Sequence, residues 1–244
     1  MNTRSANARQ PASATCMPAN DAQAAPQRHE IYQLVHKGLR AAMSDALTRL
    51  GRVDLASAEN IGDVLAAVDD LLQLCAEHLD HENAFLHSAM EKAAPGSSKR
   101  CADDHAHHVK TIGDLKTRLD EARTAGALGR ERALKVLYRL LAVFVAENLA
   151  HMEIEESANT DILHRHYSDA DLLAIEHRIH AHIKPERMMT WLRWILPNVN
   201  RQQRAMMMRG MQAAMPPELF ADVLDTVKPH LNESERVALA ADLA

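Results

Sequence analysis

The sequence predicts an all-α protein, and three observations support this prediction. Residues that favour helices, chiefly Ala, Leu, Met, Glu, Arg and Lys, dominate the chain. Aromatic residues make up only 3% of it, and the glycine and β-branched residues that would disfavour this fold class are scarce. Apolar residues recur at helical spacing in four long segments. We therefore expect an antiparallel up-down four-helix bundle with additional C-terminal helices.

The pattern divides the chain into three parts. Residues 1–27 are rich in Ala, Asn, Gln, Pro, Ser and Thr without a helical period, which predicts a disordered N-terminal tail. Residues 28–165 contain the four long periodic segments and should form the four-helix bundle. Residues 166–244 carry shorter helical patterns and are predicted to be a C-terminal helical extension.

The first two helices of the predicted bundle each carry a histidine on an apolar face. The first should run from about Gln27 to Leu50, and its stripe of Leu39, Met43, Leu47 and Leu50 places His36 towards the core. The second should run from about Asn60 to Lys92 and end at a Pro-Gly-Ser-Ser breaker. Its apolar stripe leads into His78 and Glu82.

The third and fourth helices repeat this arrangement. In the third, predicted from about Ser98 to Arg123, one apolar stripe begins at His105 and an equally regular one at His108. The sequence does not choose between these two histidines. The fourth helix, from about Arg130, carries its apolar stripe into His151 and Glu155.

Two His-x-x-x-Glu pairs, His78 with Glu82 and His151 with Glu155, are the clearest chemical signal in the chain. Residues four apart on a helix project from the same face, so each pair aims an imidazole and a carboxylate at one point. Such a mixed N/O set suits non-haem iron. Each pair is preceded by a single histidine one helix earlier, which gives a pseudo-repeat of about 70 residues and predicts a two-metal centre.

The chain resembles the hemerythrin-like HHE cation-binding family over about residues 29–165. The matching stretches are HKGLR at 36–40, HLDHENAFLH at 78–87, DHAHH at 104–108 and HMEIEE at 151–156. The resemblance implies a four-helix bundle that holds two non-haem iron ions bridged by an oxo or hydroxo species and by carboxylates. It also implies the ligands: His36, His78, Glu82, His105 or His108, His151 and Glu155, with Glu82 and Glu155 as the bridges.

The chain also departs from the oxygen-carrying members of that family. Those carriers have His-x-x-x-His on the third helix and His-x-x-x-x-Asp on the fourth, whereas this chain has Asp104-x-x-x-His108 and His151-x-x-x-x-Glu156. More negative charge on the irons should favour their ferric state, so a sensor or reactive centre is expected rather than a stable carrier. The pattern is similar to the four-histidine, two-glutamate set of an iron-sensing hemerythrin-like domain in an animal F-box protein.

Several other residues have a functional and a structural interpretation. Glu156 is the nearest candidate acid beside the irons, but as the neighbour of Glu155 we expect it to face solvent. The pair His87-x-x-x-Glu91 is expected to be solvated or to support the ligands, and Cys75 to be a small buried hydrophobe. His177 and His180 lack a matching carboxylate and indicate a polar face. None of these is predicted to bind the metal.

Composition limits the partners. The formal net charge of -5 offers no basic surface for nucleic acid and no polybasic patch for a membrane. Cys16, Cys75 and Cys101 are odd in number and widely spaced, which argues against a disulfide framework and favours the cytoplasm. No apolar run approaches the roughly 20 residues that cross a bilayer.

Two classes of function fit these observations. The first is a module that binds, senses or buffers oxygen, nitric oxide or iron, and this is the class that we favour. The second is an enzyme whose di-iron centre reacts with oxygen, peroxide or nitric oxide. A metal-free helical interaction protein is a third interpretation. The C-terminal helices, with a Met-rich run near Met206–Met208, could dock on the bundle, form a subdomain, or bind a protein partner or a second copy.

Overall fold

A computed structural model of the protein describes residues 28–244, and this part of the chain is helical with short connections and contains no β-strand. The predicted all-α class is therefore confirmed. The tail predicted for residues 1–27 lies outside the described residues. Within residues 28–244, none of the helices combines the length and the apolar character required to cross a membrane.

Four long helices enclose the largest apolar core, and each of them packs against two of the others. The four helices are α1 (Gln33–Gly51), α2 (Ala58–His81), α4 (Lys99–Thr124) and α5 (Ala127–Ile154). The α1 helix packs on α2 and α5, and α4 packs on the same two helices. The core between them is built from fully buried residues of all four, such as Leu39, Leu72, Leu115, Leu137 and Phe144.

Two of these helices continue through a π-helical turn instead of ending. The α2 helix passes through the turn Glu82–His87 into α3 (Ser88–Ala93), and α5 passes through Glu155–Asn159 into α6 (Thr160–His166). Hydrogen bonds in a π turn join residues five apart, so each turn contains one residue more than an α-helical turn. Both π turns begin at the glutamate of a His-x-x-x-Glu pair.

The start predicted for the first helix is wrong, because α1 begins at Gln33 rather than near Gln27. Residues just before α1 are held by contacts with residues 164–169, at and just after the end of α6. The Arg28 guanidinium donates to the backbone carbonyl of Tyr167 at 2.8 Å and pairs with Asp169 at 2.5 Å. His164 contributes a further hydrogen bond to the backbone carbonyl of His29. These contacts hold Arg28 and His29 in a non-helical segment before α1.

The C-terminal extension docks on the long helices and has a small apolar core of its own. Its helices are α7 (Asp169–His182), α8 (Pro185–Asn198), α9 (Arg201–Ala214), α10 (Pro217–Val227), which ends in the 3₁₀ turn Lys228–His230, and α11 (Glu233–Leu243). The α8 helix packs along α1, and its Trp191 belongs to the main core. Leu192 and Leu196 on the same helix pack with α9, α10 and α11.

A glycine permits the close approach of α1 and α8. A Cβ atom built on Gly38 would lie 2.8 Å from Cγ1 of Ile195 and 3.2 Å from its Cα. Real Cβ atoms almost never come as close as 2.8 Å to a neighbour. The contact at 3.2 Å involves a backbone atom, which cannot move aside as a side chain can. The absence of a side chain at Gly38 therefore sets the distance between the two helices.

Candidate metal centre

Two glutamates and four histidines meet between the long helices, and each helix contributes one histidine. Glu82 and Glu155 are 2% and 0% exposed, and lie where α2 and α5 enter their π turns. The four histidines around them are all buried: His36 from α1, His78 from α2, His105 from α4 and His151 from α5. The structure thus brings together six of the seven predicted ligands.

These side chains form two groups that share both carboxylates. One contains His36 and His78, the other His105 and His151, and Glu82 and Glu155 belong to both. Within each group, the candidate ligand atoms lie within 4.8 Å of one another. Two adjacent four-residue groups with a common pair of carboxylates are the arrangement that a dinuclear metal centre needs.

Glu82 divides its two oxygens between the groups. Its Oε1 lies 3.5 Å from Nε2 of His36 and 3.1 Å from Nε2 of His78, while its Oε2 lies 3.5 Å from Nε2 of His105. Two ligand atoms bound at right angles to one ion, each about 2.1 Å away, are about 3 Å apart. The observed separations are close to this value.

Glu155 makes the complementary set of contacts. Its Oε2 lies 3.5 Å from Nε2 of His36, whereas its Oε1 lies 3.4 Å from Nε2 of His105 and 3.2 Å from Nε2 of His151. Each carboxylate therefore presents one oxygen to each group. This is the geometry of a bridging ligand.

Six of the atoms that converge on the centre lack hydrogen bonds. Both carboxylate oxygens of Glu82 and Glu155 are buried without a partner in the described structure, and so are the Nε2 atoms of His36 and His78. Leaving a buried polar group unsatisfied costs about 1–3 kcal/mol, and more when the group is charged. Six such atoms aimed at one place would be a severe cost in an empty core, so the donor set fits bound cations.

Carboxylates behind two of the histidines fix their orientation. Nδ1 of His36 donates to Oε1 of Glu156 at 2.9 Å, and Nδ1 of His151 donates to Oδ2 of Asp104 at 3.2 Å. Because an ionised carboxylate only accepts hydrogen bonds, the proton of each neutral ring lies on Nδ1. The lone pair of Nε2 then points into the centre, as in histidines that bind metals.

The same arrangement recurs at His105. Its Nδ1 lies 2.8 Å from the side-chain oxygen of Asn83, while its Nε2 lies only 2.9 Å from Nε2 of His151. When both rings are neutral and donate through Nδ1, two lone pairs face each other across this short distance. A cation between the two nitrogens would turn this repulsion into attraction.

The two buried glutamates remain ionised. Burial alone would raise the pKa of Glu82, but the neighbouring imidazoles of His78 and His36 hold it well below its ordinary value. For Glu155, burial and the charge of Glu82 raise the pKa, and the neighbouring imidazoles of His105 and His151 lower it below the ordinary value. Among the described residues, no Lys or Arg pairs with either glutamate. Histidine protons or metal ions must supply the balancing charge.

His108, the alternative ligand on α4, lies outside both groups. It is 2% exposed and its ring packs edge-on against the rings of His151 and Phe144, with centroids 5.1 and 5.9 Å away. Burial and the neighbouring charge of His151 lower its pKa to about 4. Of the two histidines that the sequence left open, His105 is the one that lies close to both glutamates in the described structure.

His87 is buried next to the centre, in the supporting rather than the solvated position, and it does not pair with Glu91. Its ring stacks on that of His105 with a centroid distance of 4.7 Å. The π turn explains this position, because the residue five after Glu82 lies along the same side of the helix. Glu91 instead accepts hydrogen bonds from the backbone N–H groups of Gly96 and Ser98.

Glu156 does not face solvent as expected. It is partly buried between His36 and Arg40, whose Nη1 lies 2.5 Å from its Oε1. Burial raises the pKa of this carboxyl, but His36 and Arg40 lower it to about 2. Its role next to the centre is to hold His36.

The remaining predictions have simpler outcomes. Cys75 is buried in the main core, and burial raises the pKa of its thiol to about 12, as suits an inert small hydrophobe. His177 and His180 are exposed on α7. Asn83 was not predicted to take part in the site, and Asp104 was predicted only as a departure from the carrier pattern. Asn83 follows Glu82 and Asp104 precedes His105 in the sequence, and this proximity to predicted ligands was the one sign of their position near the site.

An apolar cavity of about 290 Å³ extends from the centre to the C-terminal helices. We call it the α8 cavity. His78 and Glu82 form part of its lining, together with His81, Glu176 and His180. Its other walls are apolar and come largely from α1, α7, α8 and α9, including Val35, Ile179, Met188, Trp191, Ile195 and Met211.

Comparisons of the chain with models of protein families, with curated proteins and with solved structures find no significant match. The described structure itself contains a buried cluster of histidines and glutamates that could hold metal ions.

Proposed function

We propose that the chain is a hemerythrin-like di-iron protein, in which α1, α2, α4 and α5 form the four-helix bundle around the metals. The observation that carries the proposal is the sharing of Glu82 and Glu155 between two pairs of histidines. In this proposal His36 and His78 bind one ion, His105 and His151 bind the other, and each glutamate bridges the two.

The donor set favours iron over other common metals. Two imidazole nitrogens with carboxylate oxygens at each position are typical of non-haem Fe(II) proteins. Calcium and magnesium prefer oxygen ligands alone, and structural zinc sites prefer a closed tetrahedral set that often includes cysteine. Cys75 and Cys101 are not part of either group.

The function that we propose is reversible binding or sensing of oxygen or nitric oxide. Four protein atoms for each ion leave coordination positions open for a small ligand, as in other non-haem iron sites. The apolar α8 cavity gives an uncharged diatomic molecule a path to His78 and Glu82. The bound iron supplies the redox chemistry, while the protein residues hold the ligands and exclude bulk water.

The same cavity supports a second candidate function. An enzyme that reacts with oxygen, peroxide or nitric oxide needs space for a substrate beside the metals, and the α8 cavity provides such a space. Turnover of a reductant or an organic substrate in the presence of iron and oxygen would favour the enzyme. Reversible ligand binding without turnover would favour the sensor.

Iron content tests the proposal directly. We expect about two irons per chain in protein expressed with iron, since there are two ligand groups. The double variant Glu82→Gln with Glu155→Gln keeps the side-chain shapes but removes both bridging charges, and should lose the paired ions while circular dichroism shows retained helicity. A matched control is His107→Gln with Glu147→Gln, which removes an exposed His–Glu pair joined at 3.3 Å.

The control variant should bind iron like the wild type. Retention of two tightly bound irons by the glutamate double variant would contradict the proposal. So would a wild-type chain that holds neither iron nor another transition metal after anaerobic reconstitution with ferrous ion. For metal-loaded protein, a change of the visible spectrum on addition of nitric oxide is the expected sign of an open position.

A further inference from the structure

We propose that the α8 cavity is a binding site for a small uncharged aliphatic molecule with one hydrogen-bond acceptor. The indole N–H of Trp191 donates a hydrogen bond to this acceptor next to His78. This inference goes beyond the binding of a diatomic ligand. The walls of the cavity belong to the protein whether or not metal is bound, so binding of such a molecule does not depend on the proposed iron centre.

The lining selects an apolar ligand. Leucine, isoleucine, valine and methionine side chains form most of the wall, and they include three methionines of α9 and its C-terminal end: Met207, Met211 and Met215. Methionine is flexible and polarisable, so a wall of this kind adapts to ligands of different shape. An aliphatic chain that enters the cavity would move its apolar surface out of water, which stabilises the complex by about 25 cal/mol for each Å² buried.

The volume sets the size of the ligand. At about 290 Å³, the cavity has roughly twice the volume of an engineered cavity of about 150 Å³ that binds benzene. A chain of about eight to ten carbons therefore fits. A single diatomic molecule would leave most of this space empty.

Trp191 supplies the polar recognition. Its side chain lines the cavity, the residue is 4% exposed, and its Nε1–H has no hydrogen-bond acceptor in the described structure. An unpaired buried donor is costly, and a ligand oxygen would satisfy it. The indole ring lies 6.3 Å from the ring of His78, centroid to centroid. The acceptor group of the ligand would thus be held next to the candidate metal centre.

Charge in the lining excludes anions. Glu82 and Glu176 contribute carboxylates, and the described lining contains no lysine or arginine. In the metal-free protein, a fatty-acid carboxylate would therefore meet like charges with no lysine or arginine to receive it. A ketone, an aldehyde or an alcohol has the required acceptor without this penalty.

Calorimetric titration with 2-octanone tests the inference on the full chain, both loaded with iron and after treatment with a chelator. We expect saturable binding of one molecule per chain in both forms. Octanoate and 1,8-octanediol are matched ligands of the same length, and each should bind the chelator-treated form at least tenfold more weakly. The first carries a charge, and the second would place a hydroxyl against the apolar end of the cavity.

Two pairs of variants locate the site. Met211→Trp should fill the cavity and abolish binding, whereas Met206→Trp on the exposed face of the same helix should not. Trp191→Phe removes the N–H donor and should weaken binding of 2-octanone about fivefold. Trp194→Phe on the same helix is its control, because Trp194 does not line the cavity.

The absence of saturable binding to either form of the wild type would overturn the inference, as would binding that Met211→Trp leaves unchanged. Octanoate that binds the chelator-treated form as tightly as 2-octanone does would overturn the selection of an uncharged ligand. Iron content distinguishes these failures from failure of the proposed function. A chain without iron that binds 2-octanone supports the cavity site alone, and a chain with two irons that does not bind it supports the metal centre alone.

Discussion

Nδ1 of His36 donates a hydrogen bond of 2.9 Å to Glu156, a residue 120 positions away in the chain. Glu156 is held in turn by the two terminal nitrogens of Arg40, one helical turn after His36. Since His36 projects its other nitrogen towards both buried glutamates, its orientation depends on this carboxylate outside the ligand groups.

Replacement of Glu156 by glutamine should weaken metal binding about tenfold. The change removes the carboxylate that fixes the His36 tautomer, and loss of such a partner typically costs 10–100-fold in affinity. Competition with a chelator of known affinity measures the change. Glu153→Gln, at an exposed position on the same helix, is the matched control. Equal affinities of the two variants would show that Glu156 does not position a ligand.

The two α4 histidines should respond differently to the same substitution. His105→Gln is expected to reduce the metal content by about one ion per chain, because His105 belongs to the second ligand group. His108→Gln should retain the wild-type content, since His108 lies outside both groups. Elemental analysis of both variants, together with their melting temperatures, checks this. Loss of metal only in His108→Gln would reverse the assignment.

Gly38 and Gly113 are predicted to respond in opposite directions to alanine. Gly38→Ala should destabilise the fold by about 1–2 kcal/mol, because its Cβ would press on the backbone of Ile195. Gly113 is exposed on α4 with nothing within 4 Å of a built Cβ, and Gly113→Ala should stabilise the fold by about 0.5–1 kcal/mol. Urea unfolding measures both changes. Equal effects of the two would refute the close approach of α1 and α8.

The pair Arg204–Glu235 should give the C-terminal helices a pH-dependent stability. Arg204 is 4% exposed and donates to Oε1 of Glu235 at 3.1 Å. The backbone N–H of Asn232 and the charge of Arg204 lower the pKa of Glu235 below its ordinary value of 4.5. The stabilisation is therefore present above about pH 4.5 and is lost as the pH falls below it.

Glu235→Gln should lower the free energy of unfolding by about 1 kcal/mol at pH 7, a modest value because Glu235 is partly exposed. The difference from the wild type should shrink as the pH is lowered towards 3. Chemical unfolding at both pH values measures this. Glu233→Gln changes an exposed carboxyl on the same helix and should show a smaller difference at pH 7. A pH-independent difference for Glu235→Gln would mean that the ion pair does not contribute.

The helical class and the side chains at the centre could be predicted from spacing, whereas their supporting contacts could not. His78 with Glu82 and His151 with Glu155 repeat at helical period, and a period is a property of the sequence. The link between His36 and Glu156 depends on how two distant helices are placed. His105 and His108 both follow an apolar stripe, so only the packing of α4 distinguishes them.

The π turn after Glu82 accounts for the position of His87, for which the sequence left a solvated and a supporting place open. Sequence patterns assume 3.6 residues per turn throughout a helix. One additional residue per turn after Glu82 brings His87 alongside His105 instead of rotating it away. Amino-acid composition does not reveal such a turn. A π turn is less stable than an α-helical turn and persists only where tertiary contacts or a ligand interact with the helix face that it creates.

The α8 helix takes part in two cores, through Trp191 on one side and through Leu192 and Leu196 on the other. Unfolding of the extension would therefore expose the main core, and the two parts should melt as one cooperative unit. A fragment cut after residue 165 would lack the Trp191 side chain and a wall of the α8 cavity. The boundary that the sequence suggests after residue 165 therefore marks a change from long to short helices and does not separate two parts that fold independently. The smallest chain that folds like the whole protein must include α8.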